Sequence, residues 1–253
     1  MSKKEVLIQK LKHLIDNSDK LENFLIENSN LPGPRANLEL LFAMAEVFKN
    51  VDVLKRWAEI DAAQADVNDP RSFLPLCSAV CLGRLYTAKK NEEFINILKK
   101  MARDDRWRMR EAAAFAFQLI GEANFLELKK IFSEWIGKSD NREKRAILVS
   151  LAHPKMLDRH TSVFCFEILD YILDNMKRDD DFEILNKGLN FALSVFTAAH
   201  PDFGFSFMEK RIGKEKAIDE ILKSNLKKNR ILKKHPNETA RLLDKIEHSF
   251  SQE

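Results

Sequence analysis

An Asp followed five residues later by an Arg, and then by a run of small or apolar residues, occurs twice in this chain at an offset of 35 residues. The first copy is Asp105-Arg-Trp-Arg-Met-Arg110-Glu-Ala-Ala-Ala and the second is Asp140-Asn-Arg-Glu-Lys-Arg145-Ala-Ile-Leu-Val. Taken backwards from Asp104, the same offset reaches Asp69 and puts Cys77, Cys81 and Leu82 in the columns of Ala112, Ala116 and Phe117. Two helices and their turns need about that many residues, so the period predicts stacked helical hairpins, each burying its apolar face against its neighbours. Turn chemistry agrees. The 7 Gly and 7 Pro among 253 residues are roughly half the usual share of these two residues, too few for a sandwich, a barrel or a doubly wound sheet.

Apolar periodicity and capping residues place about fourteen helices, at roughly 4–17, 19–29, 34–49, 52–63, 72–87, 91–103, 105–120, 124–136, 140–152, 158–176, 181–198, 201–212, 214–234 and 236–249. Asp19 with Glu22, Asn124 with Glu127 and Asp140 with Glu143 have the capping-box spacing. Pro34, Pro70, Pro201 and Pro236 suit first helical positions, where a missing N–H costs nothing. Gly121, Gly137 and Gly213 stand where helices close. Short connections make neighbouring helices antiparallel. The expected fold is all-α, a single helical-repeat domain over residues 1–253 built from about seven antiparallel helix pairs. A composition of 45% apolar and 32% charged residues suits such a folded chain.

Several functional classes drop out. Three cysteines without a Cys-x-x-Cys or Cys/His cluster exclude a disulfide scaffold and a zinc site. Cys77, Cys81 and Cys165 lie among apolar neighbours, which places them in the core as reduced thiols. The residues after Met1 lack the apolar stretch of a signal peptide, and no apolar run is long enough to span a bilayer. The expectation is a cytoplasmic protein without a membrane partner. Three histidines precede proline, at His153, His200 and His235, and read as punctuation between helices. Neither a phosphate loop, a His-Glu-x-x-His helix nor a nucleophile motif is present, so no catalytic residue, metal or cofactor is expected. With 42 basic against 39 acidic residues, the net charge of +3 leaves the sign of a partner open.

The Asp105–Ala114 segment resembles the inner-helix signature of the HEAT-repeat family, with an Asp in the turn and an Arg in the first turn of the second helix. The resemblance runs through 104–121 and 139–152 and fades towards both ends. It implies a HEAT-like, armadillo-type α-α superhelix, a solenoid used for binding, whose second helices line the concave side. It also implies that Asp105/Arg110 and Asp140/Arg145 form a ladder joining adjacent repeats.

Two features point to a binding surface. On a helix at 214–234, Lys216, Lys223, Lys227, Arg230 and Lys234 fall on one stripe opposite Ile218, Ile221, Leu222 and Leu232, an arrangement able to follow a phosphate backbone. In the signature repeat, Trp107 and Glu111 stand four apart beside Arg108. This pair, and the tail from Lys223 to Glu238, are similar to the helical-repeat DNA alkylation-repair glycosylases, whose groove sets a Trp and, four residues on, an Asp beside the damaged nucleotide. The chain departs from that pattern. Glu111 stands for the Asp, the paired tryptophans are missing, and Trp57/Asp61 carry the spacing in an earlier repeat. The leading reading is a non-enzymatic module that holds a protein or peptide partner through Trp107, Arg108, Glu111, Lys223, Lys227, Arg230 and Lys234. The alternative is a nucleic-acid binder, in its sharpest form a divergent glycosylase using Glu111 and Trp107.

Overall fold

The computed structural model describes residues 3–249, so the first two and last four residues of the expected domain lie outside it. Among the described residues there are fifteen α-helices, two 3-10 turns and no strand. No described helix is long and apolar enough to cross a membrane. The packing divides the chain after Asn124 into two compact units.

The first unit contains α1 (Lys3–Lys12), α2 (Ser18–Glu27), α3 (Leu38–Val47), α4 (Val51–Ala58), α5 (Phe73–Lys89), α6 (Glu92–Ala102) and α7 (Trp107–Ala123). At its centre lies α5, buried on every side from Phe73 to Gly83, as befits a helix with no polar face. It packs on both α3 and α7, α3 packs on α1, and α2, α4 and α6 also lie against this row. Small residues set the α5–α7 distance. A Cβ on Gly83 would sit 2.7 Å from the Cα and Cβ of Ala116, so only glycine allows the approach.

Asparagine caps dominate the helix starts. The side chains of Asn17, Asn37, Asn50 and Asn91 accept from the backbone N–H of Lys20, Leu40, Val53 and Glu93, satisfying donors that a helix start leaves open. Two expectations are corrected by this. Because Asn17 caps α2, Glu22 is not a capping-box partner; its carboxylate instead receives Trp57 Nε1 at 2.8 Å and the Arg56 guanidinium. Pro34 does not open a helix, since α3 begins at Leu38 under Asn37 and leaves residues 31–37 as a loop. Gly121 lies inside α7 and does not end it.

The second unit contains α8 (Phe125–Ile136), α9 (Asn141–Leu151), α10 (Arg159–Asp174), α11 (Phe182–Ala199), α12 (Pro201–Arg211), α13 (Lys216–Leu226), α14 (Asn229–Leu232) and α15 (Pro236–Ser249). Here α11 is central, packing on α9 and α13 with α10 and α12 beside it. The Asp140/Glu143 capping box is present as expected, and a second joins Asp158 to Thr161. Pro201 and Pro236 open helices and Pro70 opens a 3-10 turn, while Gly213 follows α12 with φ +76°.

Offsets close to 35 residues, from 35 to 38, occur in the contacts of each unit. In the first, Asp69 and Asp104 each accept the backbone N–H of the residue two positions on, Arg71 or Arg106, at 2.8 Å, and each carboxylate receives that residue's guanidinium. Tertiary partners stand about one hairpin apart. Trp57 and Glu22 are separated by 35 residues, Arg84 and Glu46 by 38. In the second unit Asn225 Nδ2 reaches the Leu189 carbonyl 36 residues away, and Arg211 reaches Asp174 across 37.

Candidate functional site

The start of α7 is an unusual place for a tryptophan to be left uncovered. Trp107 is 46% exposed, whereas Trp57 is 1% exposed, stacked on Phe48 with ring centroids 5.3 Å apart. Trp135 is likewise buried, its Nε1 donating to Glu143 at 3.0 Å. Trp107 forms one wall of a cleft of about 180 Å³ in the first unit. Leu38 and Leu41 from the first turn of α3, Leu76 from the first turn of α5, and Ala112 and Phe115 from α7 supply its apolar surface. Pro34, Arg35 and Ala36 from the loop before α3 close the rim, and Glu111 lies one turn along α7. Phe115 is held edge-on against Phe42, 5.6 Å between centroids.

Arg108 explains how this surface is held. Although it lines the cleft, its side chain is 5% exposed and its guanidinium is turned to the protein. Nε donates to the Val67 carbonyl at 2.9 Å, and Nη2 donates to the Gly33 carbonyl and to Asn68 Oδ1. The same guanidinium lies 4.4 Å from the Trp107 ring centroid, a cation–π contact that fixes the indole. Burial lowers the pKa of Arg108, yet an arginine remains charged. Its acceptors are all neutral. Arg108 therefore positions the loop and the tryptophan, and puts a positive charge beneath the cleft.

Arg35 is exposed at the rim and makes no hydrogen bond or ion pair among the described residues. Glu111 is half-buried and itself engaged. No protein-family model, curated protein or solved structure matches the chain. The chemistry of the cleft is thus read from its walls. An apolar side chain can enter between the leucines and Phe115, the indole can stack on it, and Arg35 can meet an anion.

The other expected site residues lie in the second unit and do not form the stripe their spacing predicts. The helix expected over 214–234 is two helices, since α13 ends at Leu226, Lys227 caps it and Lys228 is extended. The cause is burial. Leu226 and Ile231 are both fully buried, and residues five apart do not share a helix face. Asn225 reinforces the break, its amide donating to Leu189 and Ile221 and accepting from Ser194 N. Leu232, expected on the buried face, is exposed. Lys223 pairs with Glu247 at 3.6 Å, and Lys227, Arg230 and Lys234 follow on differently directed segments.

Trp57/Asp61 is no second copy of the site, because Trp57 is core and the Asp61 carboxylate accepts the N–H groups of Ala63 and Gln64. Within the first unit Arg110 Nη1 donates to the backbone carbonyls of Asp104 and Asp105, at 2.6 and 2.9 Å. Cys77, Cys81 and Cys165 are buried and free, with burial pushing each thiol pKa up. Reading the sequence for motifs passes over Arg35 and Leu38. The signal available for them is the Pro32-Gly33-Pro34 cluster, which marks a fixed loop ahead of an arginine.

Proposed function

We propose that the protein is a non-enzymatic binding module, a HEAT-like solenoid of about seven helix pairs, that holds a segment of a protein or peptide partner in the Trp107 cleft. The 35- and 36-residue offsets of tertiary contacts in the two units support the repeat architecture. The observation that carries the binding reading is the cleft itself, in which an exposed indole and the exposed Leu38 flank an apolar floor. Exposed aromatic anchors beside apolar pockets are typical of sites that take one large side chain of a partner. Arg108 contributes rigidity, so little ordering is left to be done on binding.

The nucleic-acid alternative drew on two features, the cationic stripe and the Trp107/Glu111 pair, and the break at Lys227 and Lys228 divides the helix expected to carry the first. Selection from a random peptide library tests the reading. Sequences enriched by the wild-type chain, and not by Trp107→Ala or Leu38→Lys, are the expected result. Absence of enrichment, together with binding of duplex or single-stranded DNA at low salt that Trp107→Ala abolishes, would replace this reading with the alternative. Release of 7-methylguanine from alkylated DNA, lost on Glu111→Gln, would establish the glycosylase form.

A further inference from the structure

We infer, resting on the reading above, that the cleft selects an acidic partner segment, one that places a large apolar side chain against Trp107 and a carboxylate against Arg35. Charge complementarity carries this. The two guanidiniums at the cleft, Arg35 and Arg108, have no carboxylate partner among the described residues, and Arg108 is buried with only carbonyl and amide oxygens around it. Against them stands one carboxylate, Glu111, which is already engaged. A buried cation without a counter-ion leaves a positive potential in the space next to it, and a low-dielectric apolar wall strengthens that field. The start of α7 adds to it, since its N-cap residue, Arg106, supplies no side-chain oxygen to the helix.

Arg35 is the group that can touch an anion, because the guanidinium of Arg108 is turned away to Gly33, Val67 and Asn68. Its fork suits a carboxylate bidentately. The aliphatic surface of Leu38, Leu41 and Leu76 favours a side chain over a nucleobase, whose edge groups would lose their hydrogen-bond partners there.

The test uses the full chain and an array of short synthetic peptides with Leu, Phe or Trp at one position and Glu, Gln or Lys at a nearby one. Dissociation constants are read by isothermal titration calorimetry. Glu peptides are expected to bind about three- to fivefold more tightly than Gln peptides, as an ion pair at an exposed rim gives, and Lys peptides more weakly still. Arg35→Gln should erase the Glu-over-Gln preference while leaving helical circular dichroism unchanged, and Arg35→Lys should restore part of it. Apolar peptides that bind without an acid preference would overturn this inference and leave the protein-binding reading standing. If no peptide binds, or if DNA binds in their place with dependence on Trp107, both fail together.

Discussion

Arg71 and Arg106 repeat the same local motif one hairpin apart, which isolates what burial adds to an arginine–aspartate fork. Among the described residues Arg71 bonds only Asp69, and its side chain is 59% exposed. Arg106 is 5% exposed and, besides gripping Asp104, donates to the carbonyls of Ile60, Asp61 and Ala65 at 2.9, 3.1 and 2.8 Å. It therefore satisfies the carbonyls of a turn 41 to 46 residues earlier. Removing it strands three acceptors and a largely covered carboxylate. Breaking such a buried arrangement costs about 3–5 kcal/mol, more than any one of its bonds contributes alone, about 1.5–3 kcal/mol for a charged donor. Arg106→Ala should thus lower the urea midpoint of the first unit by about 1.5–2.5 M for a slope near 2 kcal/mol per M, and Arg106→Met, which keeps the stem, should lower it almost as far. Arg71→Ala should leave the midpoint where it was. The assay follows fluorescence of Trp57 in a background with Trp107→Phe and Trp135→Phe, so that the signal comes from this unit. Equal midpoints for Arg106→Ala and Arg71→Ala would refute the reasoning, because the fork is common to both and only the burial and the carbonyl contacts differ.

Gly83→Ala should destabilise by about 1–3 kcal/mol by forcing α5 from α7, since its Cβ would lie 2.7 Å from Ala116, whereas Gly137→Ala, whose nearest neighbour is 4.0 Å away, should be neutral; urea unfolding of both variants measures the difference. Acid should weaken the second unit: Arg241 and Lys245 hold Glu209 at about 2, and hydrogen bonding to Arg211 holds Asp174 below the usual carboxylate range. A depressed carboxylate stabilises above its unfolded pKa and stops doing so as pH falls through its folded one, so stability should decline from about pH 4.5 towards 2, and Glu209→Gln should flatten part of that decline. An unchanged pH profile in Glu209→Gln would count against its pairing with α15. Ellman's reagent should label Cys77, Cys81 and Cys165 slowly in the native protein and stoichiometrically in guanidinium; labelling of all three within minutes would contradict their burial.

Most helices are legible in the sequence because periodicity and caps are local signals. Local signals also mislead where a tertiary demand competes. Lysine-rich residues 223–234 are good helix formers, but burying both Leu226 and Ile231 requires a break that no propensity announces. Pro34 suits a helix start, yet Asn37 supplies the cap and the loop before it goes to the cleft. Trp107, Arg108 and Glu111 stand out as a cluster because they share one turn and the next of a single helix. Arg35 and Leu38 do not, since they reach the site from about 70 residues away and nothing local marks them. The role of Arg108 was legible only as charge; that its guanidinium faces carbonyls follows from packing.

The bond from Arg108 to Gly33 spans 75 residues, about two hairpins, where the other tertiary bonds described above span about one. Contacts of shorter sequence separation close smaller loops at lower cost in chain entropy. The longer closure encloses α3 to α6 and so carries the larger cost in chain entropy. Holding Gly33 against Arg108 therefore depends on the packing of all four intervening helices. A chain missing one internal hairpin would then no longer bring Gly33 within reach of Arg108, and the loop that closes the cleft rim would lose its tie to α7.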